Sequence, residues 1–126
     1  MKKIQVFFLC LLCFLCSVSL LTAHHGTGGL YDMEKSITLK GSVTMFKFVN
    51  PHVLVYFDVQ DKKDVVHWIG EGPSVNNWTR AGWNRTSLKA GDPVTVTLFP
   101  ARSGKPEGVV HKIVTASGKE WCCETK

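Results

Sequence analysis

The chain has 126 residues, with 15 Lys and Arg against 10 Asp and Glu, and a formal charge of +5. Lys2 and Lys3 fall within the first 23 residues, which hold no acid, so the remainder carries 13 basic and 10 acidic side chains, a surplus of three. So small a surplus over about 100 residues argues against a nucleic-acid partner, and that length suits one domain burying roughly two-thirds of its unfolded surface.

Residues 1–23 follow the order of a secretory signal peptide. Lys2 and Lys3 are followed by an apolar run from Val6 to Leu21 and then by Thr22-Ala23. Cutting after Ala23 predicts a periplasmic or secreted protein that begins at His24. After Leu21 no apolar run approaches the ~18–20 residues that would cross a bilayer, so no transmembrane segment is expected once the signal is removed. Cys10, Cys13 and Cys16 sit in the apolar run as small hydrophobes. Cys122 and Cys123 fall in the 118–126 segment, which reads as a C-terminal tail. Adjacent cysteines bridge each other poorly, which leaves a strained ring, a link between chains, metal ligation or a reactive tail as their possible uses.

Gly-rich residues 24–35 read as an N-terminal arm, and 36–117 as the domain. From Ser36 to Val49 the pattern has period two, with Ile37, Leu39, Val43 and Met45 on one face. Gly41 interrupts that face and suits a coil or bulge in a barrel strand. After Asn50-Pro51, a second strand from His52 to Gln60 sets Val53, Val55, Phe57 and Val59 opposite His52, Leu54, Tyr56 and Asp58. The polar turn 61–64 leads to a third strand, 65–71. Pro73, Val75, Trp78 and Ala81 then give helical spacing, closed by Gly82. Asn76, Asn77 and Thr79 favour helix weakly, so packing must hold this short helix. Strands follow at 93–99, with Val94, Val96 and Leu98 on one face, and at 109–116, where Val109, His111 and Ile113 alternate. Three strands, a helix and two strands make an all-β domain with small α content. The expected architecture is a five-stranded OB-like β-barrel with one short helix between strands 3 and 4; a small antiparallel sandwich is the competing arrangement.

Several of these residues together resemble a known family. They are Ala23-His24-His25, Tyr31-Asp32, Ile37-x-Leu39-x-Gly41-x-Val43, Asn50-Pro51-His52, Trp68 and Leu88-x-x-Gly91-Asp92-x-Val94-x-Val96. The family comprises small exported bacterial proteins of unknown function, marked by an Ala-His-His signal junction and an Asn-Pro-His turn. Its usual serine and aromatic after the two histidines are replaced here by Gly26 and Thr27. The resemblance implies location and fold class, and carries no activity.

Two constellations carry chemistry. A new N-terminal histidine offers its α-amine and ring to a metal, and further imidazoles complete a nitrogen set. The candidate metal ligands are His24, His25 and His52. Such a set suits copper, nickel or zinc, and the Irving–Williams order favours copper(II). The second constellation is aromatic. Phe46, Phe48, Tyr56 and Trp68 form a candidate ligand-binding face, because OB folds bind ligands across strands two and three; the bland counterpart is a small second core under the helix or arm. His67 falls near the 61–64 turn, far from His52, which argues against one site using both. No Gly-rich phosphate loop or serine elbow occurs, and the spacing of Asp32, Asp58 and Glu71 demands no acid–base pairing. The reading is therefore a binding or accessory module rather than an enzyme. It is either a copper-binding protein or a metal-free adaptor for an unidentified periplasmic protein or small ligand.

Overall fold

A computed structural model describes residues 27–122. The signal segment, His24, His25 and Cys123 lie outside the described residues. A helical turn, α1 (Thr27–Leu30), precedes β1 (Ile37–Lys47), β2 (Leu54–Asp61) and β3 (Asp64–Glu71). Helix α2 (Val75–Arg80) follows, and then β4 (Pro93–Pro100), β5 (Glu107–Thr115) and β6 (Glu120–Cys122). β1 pairs antiparallel with both β2 and β4, and β3 pairs parallel with β5, which closes five strands into a barrel. The all-β, OB-like expectation is met, with α2 between strands 3 and 4.

Gly41 lies where β1 passes from β4 to β2: Gly41 faces Val94, and Ser42 faces both Asp58 and Pro93. A Cβ at Gly41 would run into the Asp58 carbonyl, so the crossing requires a residue without a side chain. Val43, Val53, Val55, Phe57, Val94, Val96, Leu98, Val110 and Ile113 fill the barrel.

Two bulges alter the faces expected from strict alternation. In β1 the register shifts between Val43 and Met45, and the extra residue, Thr44, reverses the parity beyond it. Met45, expected inside, is therefore 48% exposed. Phe46 and Phe48, expected on the outer face, turn into the core. In β5 the partners of Thr97 and Leu98 are Lys112 and Val110, so His111 is the extra residue, and Val110 rather than Val109 is buried.

Helix α2 ends as its sequence directs. Gly82 has φ 77°, its N–H donates to the Thr79 carbonyl (3.0 Å), and the Trp83 N–H donates to the Trp78 carbonyl (2.9 Å). This is the paired bonding of a Schellman stop, accompanied by a Trp78–Trp83 ring contact at 5.4 Å. Residues 118–126 were expected to be a tail, yet Glu120–Cys122 pair with Lys112–Val114. The cause is Trp121, which stacks on Trp78 with centroids 4.0 Å apart and planes within 8°. The Trp83 Nε1–H also donates to the Glu120 carbonyl (3.2 Å). Among the described residues, no helix is long and apolar enough to cross a membrane.

Candidate functional site

The Asn50-Pro51-His52 turn clamps the join between β3 and α2. The Val75 N–H donates to Asn50 Oδ1 (3.1 Å). Ser74, the N-cap residue, makes no side-chain cap bond of its own, so Asn50 caps the helix from a different part of the chain. The peptide bond between Asn50 and Pro51 is cis. Beyond the turn, the Val53 N–H donates to the Pro73 carbonyl (3.1 Å) and the Gly72 N–H to the Val53 carbonyl (2.8 Å). These backbone bonds fix His52 opposite Glu71 and Gly72. Gly72 itself lies against the Trp78 indole, where a Cβ would come within 2.6 Å of the ring. The rim of the site is thus seated directly on the tryptophan cluster.

His52 Nδ1 stands 3.2 Å from Glu71 Oε1 and 3.2 Å from the Gly72 carbonyl oxygen. Both neighbours are acceptors, so Nδ1 carries the proton, and in the neutral ring the lone pair is on Nε2. The His52 side chain is 51% exposed and that of Glu71 30%. The Tyr31 hydroxyl donates to the second oxygen of the same carboxylate, Oε2, at 3.0 Å. Burial, the bond to Glu71 and the charges of Glu71 and Glu107 push the Tyr31 phenol up to about 12, so it stays protonated at ordinary pH.

Tyr31 belongs to the arm, which is tied to the barrel by its backbone as well. Tyr31 forms a bridge with Ala101, the Asp32 N–H donates to the Pro100 carbonyl (2.9 Å), and the Arg102 N–H donates to the Leu30 carbonyl (2.9 Å). An Arg102–Asp32 ion pair at 3.7 Å adds to this. Sequence reasoning missed Glu71 as the partner of His52 and Tyr31 as the partner of Glu71. The only hint was the grouping of Tyr31-Asp32 with the Asn-Pro-His turn in the resemblance.

The remaining candidates separate. His67 Nδ1 contacts its cross-strand neighbour Asp58 Oδ1 at 2.6 Å midway along the β2–β3 ladder, with the imidazole 80% exposed. His111 is half-buried, its ring 5.4 Å from Phe99. Of the four rings expected to make a ligand-binding face, Phe46 packs on Phe48 (5.6 Å) and Trp78 (5.8 Å), and Trp68 also packs against the core. Tyr56 alone of the four stays on the outer face, half-buried beneath Lys47 Nζ at 5.3 Å. Tyr56 lies between Met45 and Ile69 across the strands. The correction for Phe46 and Phe48 follows from the Thr44 bulge: the inward turn that packs Phe46 against the core and buries Phe48 takes both from the outer face.

Among the described residues, no group of three or more His, Cys, Asp or Glu side chains is placed to hold a metal ion. His52 with Glu71 supplies two such groups, and His24 and His25 lie outside the described residues. No curated protein matches the chain. The model of a family of unknown function, DUF6152, matches residues 13–111, more than half of the chain. The chain belongs to the DUF6152 family.

Proposed function

We propose that this protein is exported, loses residues 1–23, and binds copper(II) in the periplasm as an accessory protein rather than an enzyme. The ligands in this reading are the α-amine and ring of His24, the ring of His25, and His52 Nε2. The observation that carries it is the arrangement of His52: its Nδ1 faces two acceptors, while Tyr31 fastens the arm to the same carboxylate. The tether is short. α1 runs from Thr27 to Leu30, immediately before Tyr31, and only Gly26 separates His25 from that turn. Seven residue steps separate His24 from Tyr31, four of them in that turn, so the chain length alone limits their separation to roughly 16 Å. A nitrogen-rich set of this kind favours copper(II) over zinc.

Copper titration of the chain processed in its own host tests the reading, alongside a version with one alanine placed before His24. Micromolar or tighter uptake that is lost in the extended version supports it. Equal uptake by both moves the site away from the amino terminus, and tighter uptake of zinc than of copper reassigns the metal.

A further inference from the structure

The free edge of β3 has a gap in its backbone pairing. Along β2 the strand is paired throughout, from Asp64 opposite Asp61 to Glu71 opposite Leu54. On its other side β5 covers only Ile69, Gly70 and Glu71. Among the described residues, nothing pairs with 64–68 on that side. Parity shows which groups face the gap. Asp61 and Asp64 close a two-residue turn, so Asp64, Val66 and Trp68 direct their backbone groups towards β2, and Val65 and His67 direct theirs away. Ile69 continues that series: its N–H leaves the hairpin and donates to the Pro106 carbonyl at 3.0 Å. Val65 and His67 thus each present an N–H and a carbonyl at an open edge. Val65 is 48% exposed, and the His67 side chain 80%. No proline, lysine or register shift, devices that blunt such edges, falls within 64–68.

We propose that two copies of the chain pair along this edge, β3 against β3, antiparallel about a two-fold axis at Val66. That register sets Val65 of each copy opposite His67 of the other. Each such narrow pair exchanges two N–H···O bonds, so every outward group of Val65 and His67 finds a partner. A second copy suits the edge better than a foreign peptide, because the open stretch is short and closed at both ends, by the 61–64 turn and by Pro106. A peptide running on past Trp68 would meet Pro106 and the start of β5. The second copy's strand ends in its own turn at that point. Charge permits the approach: Asp61, Lys62, Lys63 and Asp64 sum to zero, as do Lys105 and Glu107 on either side of Pro106. The contact is narrow, in the size class of weak and transient pairing.

The test is sedimentation equilibrium of the host-processed chain from micromolar to millimolar concentration, with amide hydrogen exchange alongside, and the same on Val65→Pro. Proline there removes an N–H that has no partner within the described chain, and edge positions of this kind tolerate it, so the β2–β3 ladder is kept. The apparent mass of the parent chain should climb towards twice that of the monomer. The Val65 and His67 amides should exchange more slowly as the dimer fills. Val65→Pro should pair about tenfold more weakly or worse, because two bonds are lost per dimer. A parent chain that stays monomeric throughout overturns the proposal. Pairing of Val65→Pro at parental strength also overturns it, by moving the interface elsewhere. Slow exchange of both amides in a monomeric chain overturns it too, by giving the edge to another segment of the same chain. If Val65→Pro fails to fold by circular dichroism, Val65→Lys replaces it with the same expectation, and the exchange data on the parent decide: a dimer that leaves both amides unprotected contradicts the pairing.

Discussion

The β2–β3 hairpin carries one histidine–carboxylate pair at mid-ladder and another beside its open end, and the two pairs are set in different surroundings. At mid-ladder, His67 meets Asp58 at 2.6 Å, but the ring is 80% exposed and exposed Val65 lies two residues away. A pair so open to water is screened and contributes little to stability. At the helix end, the His52–Glu71 distance is longer, 3.2 Å, yet the pair is braced by a backbone carbonyl, by a phenol from the arm and by a glycine packed on tryptophan. The shorter contact is thus not the better-built one. What distinguishes a site from a surface pair is how many independent elements fix its geometry: Glu71 and Gly72 contact His52, the arm holds Glu71, and the start of α2 holds Asn50 of the same turn.

This contrast can be broken or sharpened by substitution. The largest effect is expected at Trp121. Trp121→Ala should cost about 3–5 kcal/mol by removing a buried indole stacked on Trp78, whereas Val65→Ala at the turn end should stay within about 0.5 kcal/mol; denaturant melts compare them. Next comes the metal. His52→Ala should lower copper affinity by more than the roughly 10–100-fold of an outer-shell loss, and His67→Ala should leave the titration unchanged; equal losses in both would erase the distinction. Gly72→Ala forces a Cβ against the Trp78 indole and should cost about 1–3 kcal/mol by thermal melting, with copper uptake weakened as the Gly72 carbonyl moves from His52.

The smallest effect is spectroscopic. The docked phenol is raised from 10.0 to about 12, so its neutral form is the one the folded chain favours. The stabilisation it gives is complete below pH 10 and is lost as pH rises through about 12. Tyrosinate absorbance from Tyr31 should therefore rise only as pH approaches about 12, and that step should vanish in Tyr31→Phe. A single step near the ordinary phenol value would detach Tyr31 from Glu71.

The barrel was legible because period-two patterning and the position of the helix are local signals. Val53, Val55, Phe57, Val94, Val96 and Leu98 point inward as the alternation says. Alternation failed where a strand gains a residue. Thr44 and His111 look like ordinary strand positions, and only the register with a neighbouring strand shows each as a bulge. Phe46 and Phe48 were thereby placed on the wrong face. Trp121 was unreadable for a related reason: its partner Trp78 is more than forty residues away, and nothing local distinguishes a short final strand from a tail. At the candidate site, His52 was visible through its Asn-Pro turn, but Glu71 reaches it across 19 residues and Tyr31 reaches Glu71 across 40. Contacts that closure of a barrel creates leave no spacing in the sequence.

The central claim is that His52, and not His67, joins the amino terminus around copper. Pulsed electron paramagnetic resonance of the copper-loaded, host-processed chain tests it most directly, because a coordinated imidazole shows its remote nitrogen. The account predicts that one such imidazole signal disappears in His52→Ala and that the full set persists in His67→Ala. A His52→Ala spectrum identical to that of the parent chain would contradict it.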